Sequence, residues 1–401
     1  MKKELELEDI LYFSDRYRTN PKNLEIESKI KEVGILKSSI DEEKKEEFRF
    51  EFNIETPEVK IYDQLGSHQC NTYAFLRVVK DILRNHSKLD VNSLDFSSNY
   101  INFFDKFEKA NALYNQLIQL NSISLEEINQ KVNQYIGSFG TFHFCKEIVD
   151  KYGLVLSSEM NEVGEYYNDS LTIELLRNKV KADLVSFISM SREEKISWKG
   201  EFMYGVFEFL SKVYGNPPLH FKFQEDMMTP LQFKEKYLGD FLEDYITVTP
   251  FSKEVLCSSY SFIPDIYLNP EKIIHLPIQK MKEAIVRQLH QGISVWFSSE
   301  ESTTLDYDMN ILDSNFYDVY GLLEIKKLSK RERMLLDMIN YDHAMCITGA
   351  LVVGNEVRQF KVDNSFGNHG KFHGQLIMTD SFLENCVITI VLNKKFVRED
   401  K

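Results

Sequence analysis

Cys70 lies far along the chain from His343 and Asn364, and these three residues place the strongest constraint on how the chain can fold. A thiol is a poor nucleophile until a base takes its proton, and an imidazole serves best as that base when a third group holds its ring. A chain that uses these three residues together has to bring its early part against its C-terminal part. The sequence around each residue is consistent with such an arrangement.

Cys70 stands where a turn runs into a helix. The turn contains Gly66 and Ser67, and apolar side chains then recur at helical spacing, namely Tyr73, Leu76, Val79 and Leu83. A helix N-terminus presents unpaired N–H groups and the positive end of the helix dipole, and both stabilise a thiolate. The sequence therefore predicts a helix that begins at Cys70 and activates its thiol.

The segments around His343 and Asn364 predict neighbouring strands. Apolar runs at 346–353 and 357–363 have strand character, and the Gly-Asn dipeptide at 354–355 is a hairpin-turn signal. His343 would stand at the entrance of the first strand and Asn364 at the exit of the second. Both side chains would then lie at one end of the hairpin, facing a cleft shared with the nucleophile helix.

The most specific sequence segments are His-Ala-Met at 343–345 and Asn-Ser-Phe-Gly at 364–367. They resemble the papain-like cysteine peptidases, and most closely the bleomycin hydrolase and bacterial aminopeptidase C family. Similar segments occur along nearly the whole chain, from 99–111 to 393–395. The resemblance implies an α+β, papain-like two-subdomain fold with a large helical insertion. A helical half would carry the Cys, and a β-rich half would carry the His and Asn.

The resemblance also implies a role for each site residue. Cys70 would attack the scissile carbonyl and form a thioester, His343 would exchange the proton, and Asn364 would hold the imidazole ring. Gln64 would donate its amide N–H to the developing oxyanion, and losing one such donor typically costs about 2.7–4 kcal/mol of transition-state stabilisation. Four further residues would contact the peptide substrate: His68, Asn71, Gly140 and Phe366. No cofactor is implied, and no metal site is expected, because no cluster of residues has metal-ligand spacing.

The chain departs from the family pattern around the nucleophile. His68 and Asn71 stand where the family has Gly and Trp, and Phe139 replaces the first glycine of a substrate-binding Gly-Gly-Gln-Trp stretch. Phe366 replaces a tryptophan that shields the His–Asn hydrogen bond, and it keeps an aromatic cover. Two hypotheses stay open, an active peptidase or a catalytically weakened relative that acts as a binding or scaffold protein. Asp342 is either a solvated turn residue or a group that tunes the ion pair.

The end of the sequence bears on where a peptide would be cut. Members of this family carry a C-terminal arm that enters the cleft, where its carboxylate meets the substrate amine and restricts cleavage to N-terminal residues. This sequence ends at 398–401, just after its last strand-like run. We therefore expect an open cleft and cleavage within peptides, as the alternative to aminopeptidase action.

Composition limits the partners and the compartment. The formal net charge of −14 argues against nonspecific binding of nucleic acid, which requires neutralisation of phosphates. The five cysteines show no CxxC spacing, no signal peptide is recognisable, and no apolar run approaches the ~20 residues needed to span a bilayer. These features predict a cytoplasmic protein without membrane contact. Four cysteines are predicted to be structural: Cys145, Cys257, Cys346 and Cys386.

Pattern and resemblance divide the chain into four regions. Residues 1–60 would wrap the catalytic body, 61–160 would form the helical half with the nucleophile, 161–272 a helical and loop-rich insertion, and 273–401 the β-rich half. In the resembling family the insertion builds the contacts of a hexamer, so a homohexamer is implied here.

Periodicity predicts the individual elements within these regions. Helices are predicted at 5–17, at 99–119, at 143–152 with Gly153 as its C-cap, and after Pro277 with Ile278, Met281, Ile285 and Leu289 on one face. Strands are predicted at 293–297 and 386–392, and where Phe48, Phe50, Phe52 and Ile54 alternate with polar residues. The charged run at 41–47 is predicted to be a solvated helix end.

Overall fold

The computed structural model describes residues 4–41, 48–87, 89–120, 122–161, 164–252, 254–255, 273–300, 305–306, 309–339 and 343–397. The α-helices are α1 (Leu7–Arg18), α2 (Pro21–Val33), α3 (Ile35–Ser38), α4 (Cys70–Ser87), α5 (Ser98–Ile118), α6 (Leu125–Tyr135), α7 (Phe142–Tyr152), α8 (Asp169–Phe187), α9 (Arg192–Tyr214), α10 (Pro230–Phe233), α11 (Ile278–Leu289), α12 (Val319–Leu322), α13 (Lys330–Leu335), α14 (Asp380–Asn385) and α15 (Lys394–Val397). Short 3-10 helices occur at Leu65–Ser67, Val91–Ser93, Gly164–Asn168 and Phe241–Asp244, and a π-helical turn occurs at Lys234–Leu238.

The strands are β1 (Ile54–Glu55), β2 (Phe221–Phe223), β3 (Asp226–Met228), β4 (Tyr245–Thr249), β5 (Ile274–His275), β6 (Val295–Ser299), β7 (Leu305–Asp306), β8 (Ile311–Leu312), β9 (His343–Val353), β10 (Glu356–Asp363), β11 (Gln375–Thr379) and β12 (Val387–Asn393). All but β2 and β3 join one sheet in the order β5-β4-β12-β6-β9-β10-β11-β8-β7, with β1 paired to β9. Neighbours are antiparallel except for the pairs β4–β5 and β8–β11.

The helical half is built around α4 and α5. The inner face of α4 presents Phe75, Val79 and Ile82, which are buried in the larger of the apolar cores. α5 begins where the Ser97 hydroxyl accepts the backbone N–H of Tyr100, an N-cap that satisfies one of the unpaired N–H groups of the first turn. Both helices lose a large apolar area to the core, and burial of that area is the main stabilising contribution.

Strand β9 joins the helical half to the sheet because both of its faces are covered. Successive strand side chains point to opposite faces. Ala344 and Cys346 pack in the core that contains α4, whereas Met345 and Ile347 pack in the core that contains α11. The sheet is therefore a central layer between helices, and its β9 strand is apolar on both sides.

Most of the predicted elements are confirmed. The predicted helices at 5–17, 99–119 and 143–152 correspond to α1, α5 and α7, and Gly153 is the C-cap of α7. The helix after Pro277 is α11, in which Met281, Ile285 and Leu289 are buried on one face. The predicted hairpin turn at 354–355 joins β9 and β10, so His343 opens one strand and Asn364 follows the other. The α+β fold class is confirmed as well.

The predicted strand at Phe48–Ile54 is wrong for most of its length, because strand pairing begins only at Ile54. Before that point, the side chain of Asn53 provides the hydrogen bonds to β9. Its amide N–H donates to the Val352 carbonyl at 2.8 Å, and its amide oxygen accepts the Val352 N–H at 2.9 Å. Phe50 stacks on Phe372 with ring centroids 4.2 Å apart. The segment is thus held by an amide that mimics a neighbouring strand and by aromatic contacts, without a regular ladder.

Two other predictions meet the structure only in part. Strand β4 comes from the predicted insertion and pairs with β12 of the β-rich half, while the four region boundaries stay a prediction. Most of the charged run at 41–47 and also Cys257 lie outside the described residues. Within the part of the chain that the structure describes, no helix combines the length and apolar character required to cross a membrane.

The C-caps of α7 and α9 provide a stability test. Gly153 and Gly215 have φ values of 85° and 97°, so a side chain is strained at either position. A Cβ at Gly153 would also overlap the backbone of Pro230, whereas nothing lies within 4 Å of one at Gly215. Gly215→Ala is expected to lower the free energy of unfolding by about 1–3 kcal/mol. Gly153→Ala should cost about 1–3 kcal/mol more, because the clash adds to the strain.

Urea unfolding of the two variants, followed by circular dichroism, measures the difference. Equal losses of stability would show that the backbone of Pro230 moves away without cost, and would contradict the expectation.

Candidate active site

Cys70 is the first residue of α4 and is partly exposed. The helix starts at this point because the Gln69 carbonyl accepts the N–H groups of Thr72 and Tyr73 at 3.0 and 3.1 Å. Just before it, His68 adopts a left-handed conformation with φ 53° and ψ 31°. The chain therefore turns sharply immediately before Cys70 and presents its thiol at a helix N-terminus, as the sequence predicts.

The structure brings His343 and Asn364 into direct contact. β9 and β10 are antiparallel neighbours in which Asp363 lies opposite Cys346, so the start of one strand meets the end of the other. His343 Nε2 lies 2.7 Å from Asn364 Oδ1, and both residues are buried. Asn364 Oδ1 also accepts the backbone N–H of Ser365 at 2.7 Å. With Nε2 bonded to Asn364, proton exchange with a thiol has to take place at Nδ1.

Phe366 covers this hydrogen bond. Its ring stacks on the imidazole of His343, with centroids 5.3 Å apart and an interplanar angle of 22°. A hydrogen bond that is shielded from water by an aromatic ring is stronger than an exposed one. Phe366, which is predicted to contact substrate, thus also holds the imidazole of His343 in place.

Gln64 is positioned by the segment that carries Asn364. Its backbone N–H donates to the Ser365 carbonyl at 2.8 Å, and its side-chain Oε1 accepts from the Ser365 hydroxyl at 3.0 Å. The Tyr62 carbonyl accepts the N–H of Gly367 at 3.0 Å, so the segment before Gln64 and the segment after Asn364 run side by side. Because Oε1 is bonded to Ser365, Nε2 is the atom of Gln64 that is able to donate to a substrate oxygen.

Cys70, Asn364 and the first residues after His343 line one cavity. Its remaining wall is largely apolar and comes from α4 and from the segment at 59–62. The fold therefore collects the three predicted catalytic segments around a common space. Their catalytic roles stay a prediction, and Asp342 lies outside the described residues.

The predicted substrate-binding residues are found in different surroundings. His68 is exposed, and its Nε2 lies 3.0 Å from the hydroxyl of Ser170. Asn71 is buried, and its amide donates to Cys145 Sγ at 3.4 Å. A Cβ at Gly140 would overlap that same amide, so the Gly140 loop rests directly on Asn71. Substrate contacts by these residues stay a prediction, whereas the support that Asn71 gives to Gly140 is observed.

Lys109, a residue that sequence reasoning missed, anchors the loop that carries Gly140. Its buried ammonium donates to the carbonyls of Gly137 and Phe139, both at 2.7 Å, and to the Asp105 carboxylate at 2.6 Å. Desolvation lowers the pKa of Lys109, although Asp105 works in the opposite direction. The signal was available in the sequence, since Asp105 and Lys109 are spaced i,i+4 on a helix with apolar neighbours.

A second network that was missed lies between α4 and the β-rich half. Arg77 is buried and donates to Asp81 and, at 3.1 Å, to Asp363, the residue before Asn364. The pair of Arg77 and Asp81 at i,i+4 within an apolar helix was a sequence signal of a buried ion pair. Nothing in the sequence indicated that Asp363 would complete it.

The other cysteines that the structure describes are poor nucleophiles. Cys145, Cys346 and Cys386 are buried free thiols. Burial raises the pKa of both Cys145 and Cys386 to about 12 and raises that of Cys346 as well. A raised pKa keeps a thiol protonated at neutral pH, and only the thiolate is nucleophilic. Among the described residues, no group of three or more His, Cys, Asp or Glu side chains is arranged to hold a metal ion.

Alkylation at about pH 7 is therefore expected to be selective. Iodoacetamide should modify Cys70 in the folded protein and leave Cys145, Cys346 and Cys386 unmodified, because they are protonated and shielded. Peptide mapping by mass spectrometry measures the modified sites. Protein unfolded in guanidinium is the control in which these thiols all react, and faster modification of Cys145 than of Cys70 in the folded state would contradict the expectation.

The chain is similar to known proteins over its whole length. The model of the Peptidase C1-like family matches residues 4–401. Aminopeptidase E from Lactobacillus helveticus is 26% identical over 421 residues, which span 100% of this chain and 95% of that protein. Aminopeptidase C from Listeria innocua is 25% identical over 422 residues, with the same shares of each chain. The crystal structure of PepW from Lactobacillus rhamnosis HN001 matches with a TM-score of 0.86 and 23% identity, over 99% of this chain and 94% of that one.

Proposed function

We propose that this chain, which belongs to the Peptidase C1-like family and is a cysteine-type peptidase of papain-like fold, hydrolyses short peptides through a thioester formed on Cys70. The observation that carries the proposal is the 2.7 Å contact between His343 Nε2 and Asn364 Oδ1, beside the cavity that Cys70 lines. An imidazole held in this way has one nitrogen left for exchange of a proton with the thiol.

The proposed reaction has two steps. The Cys70 thiolate attacks the scissile carbonyl, and the oxyanion that forms is stabilised by the Cys70 backbone N–H and by Gln64 Nε2. His343 donates its proton to the leaving amine, which departs and leaves a thioester. Water that gives a proton to His343 then attacks the thioester, and the acid is released with the thiol restored. Peptide substrates need no cofactor for either step.

The position of the cut separates two forms of this activity. The relatives described above are named aminopeptidases, which favours removal of N-terminal residues. Cleavage within peptides is the alternative form. Both forms use the same thiol and imidazole, and they differ only in whether a free amine has to be recognised.

A matched pair of peptides tests the activity and its form. Each peptide is supplied with a free N-terminus and with an acetylated one, and products are identified by mass spectrometry. Wild-type protein is expected to cleave the free peptides, and Cys70→Ser should reduce the rate by a factor on the order of 10⁴ or more, because the nucleophile is lost. Products from acetylated peptides would establish internal cleavage, and their absence would establish aminopeptidase action. Cleavage by Cys70→Ser at the wild-type rate would refute the mechanism.

The rival function is that of a weakened relative that binds without catalysis. It is favoured by His68 and Asn71, which replace the glycine and tryptophan of the family. Iodoacetamide at about pH 6 separates the two, because a thiolate paired with an imidazolium reacts there, whereas an ordinary thiol with a pKa near ~8.5 is almost fully protonated. A slow reaction of Cys70 at that pH would support the binding function.

We also propose that the protein is a homo-oligomer, a hexamer by family resemblance, in a reducing compartment such as the cytoplasm. None of the twelve residues of α1 is buried. Its large apolar side chains are exposed: Leu7, Ile10, Leu11, Tyr12, Phe13 and Tyr17. An apolar surface of this kind, rimmed by charged residues, is typical of a protein interface. The four described cysteines are free thiols, which supports a reducing compartment.

Charged substitutions on α1 test the oligomer. Leu11→Glu combined with Phe13→Glu is expected to dissociate the assembly, because burial of two carboxylates in an apolar contact is unfavourable. Light scattering coupled to size-exclusion chromatography measures the molar mass. Glu8→Gln combined with Asp15→Asn, on the same helix, is the control and should keep the wild-type mass. A monomeric wild type, or an unchanged mass in the Glu variant, would contradict the proposal.

A further inference from the structure

Arg77 lies on the same face of α4 as Cys70, seven residues further along the helix. Two turns of an α-helix span about seven residues, so both side chains point to the same side. Both residues also line the cavity that contains Asn364. A contact that fixes the position of the Arg77 side chain therefore also fixes the N-terminal end of α4, which carries the Cys70 thiol.

Four contacts fix the guanidinium of Arg77. It donates to Asp81 on its own helix, to Asp363 Oδ2 at 3.1 Å, to the Thr56 hydroxyl at 2.9 Å and to the Pro57 carbonyl at 3.0 Å. A planar guanidinium that donates in several directions has a fixed position and orientation. Arg77 thus ties α4 both to the end of β10 and to the segment that leads to the proposed oxyanion residue.

Asp363 extends this link into the sheet. Its Oδ1 accepts the Thr348 hydroxyl of β9 at 3.1 Å and the Gln375 amide of β11 at 3.2 Å. Its backbone continues directly into Asn364, which holds the imidazole of His343. The Asp363 carboxylate therefore connects β9, β10 and β11 to α4. It lies next to Asn364, the residue that orients the imidazole.

The charges in this cluster balance. Burial acts to lower the pKa of Arg77, but the carboxylates of Asp81 and Asp363 outweigh it and raise the pKa, so the guanidinium stays charged. Asp81 also accepts from Arg84 at 2.7 Å and from the Ser294 N–H at 2.9 Å. Loss of the Asp363 carboxylate leaves Arg77 bonded to Asp81 on its own helix, and the link from Arg77 to the end of β10 is the part that is lost.

We propose that Arg77 and Asp363 are positioning residues for the reaction, which set the location of Cys70 relative to the His343–Asn364 pair. This inference rests on the proposed peptidase mechanism. Neither side chain takes part in a bond-making step. The two residues act by holding the nucleophile helix and the base at the separation that proton exchange requires.

Asp363→Asn is the test variant, because it keeps the size of the side chain and its contacts with the sheet but removes the charge that faces Arg77. Asp380→Asn is the matched control, since Asp380 pairs with Lys282 at 2.5 Å, an ammonium that is buried on the outer helix α11. The measurements are kcat and KM for a peptide, the rate of Cys70 alkylation at about pH 6, and the thermal midpoint.

Asp363→Asn is expected to lower kcat by about tenfold to a hundredfold with KM changed by no more than about twofold, because misplacement of reacting groups acts on the chemical step. The alkylation rate of Cys70 at about pH 6 should fall by a similar factor. Asp380→Asn should keep both values within about twofold of wild type. Arg77→Lys, which keeps the charge but loses the planar fork, should fall between these two variants.

The inference is overturned if the kcat of Asp363→Asn falls only in proportion to the fraction of folded protein and the alkylation rate of Cys70 is unchanged. That result would leave the proposed function standing. Failure of the proposed function looks different, because wild-type protein would then cleave no peptide. In that case the alkylation rates still decide, and equal rates in wild type and Asp363→Asn would overturn the positioning role.

Discussion

The contact between α4 and β9 is the constraint on which the rest of this structure depends. The Cys346 thiol donates to the Ala74 carbonyl at 3.1 Å, so a short side chain of the strand reaches the backbone of the helix. Such a close approach needs small side chains on the facing surfaces, and Ala74, Ala344 and Cys346 supply them. Cys70 and His343 lie at the ends of the two elements that meet here. Core packing between these elements therefore brings the predicted nucleophile and base to the same end of the structure.

Apolar packing alone does not define a position along the helix axis, because dispersion and burial are not directional. The buried polar groups supply the direction. Arg77 joins α4 to Asp363, and Lys109 fixes the loop that carries Gly140. Removal of one partner from a buried ion pair typically costs about 3–5 kcal/mol, because the other charge is left buried without compensation. Buried charges such as those of Arg77 and Lys109 therefore mark places where the relative position of two elements has to be precise.

The departures around the nucleophile have a consistent physical explanation. His68 has the left-handed backbone conformation that glycine adopts most readily, at a strain of about 1–2 kcal/mol for a residue with a Cβ. Asn71 fills the core beside Gly140 and Cys145, where a polar amide finds a thiol as its acceptor. Both residues are thus accommodated next to Cys70, and the His343–Asn364 hydrogen bond is formed in the same structure.

The sequence by itself determined the helix that begins at Cys70 and the hairpin whose ends carry His343 and Asn364, because helix start, hairpin turn and apolar period are local signals. It did not determine the segment before Ile54, where the Asn53 amide replaces a strand, since that pairing depends on Val352 far along the chain. Only the tertiary structure decided that Asp363 completes the Arg77 network and that Asn71 is buried. Long-range contacts select partners for buried charges and amides by geometry, and no local pattern in the chain records that choice.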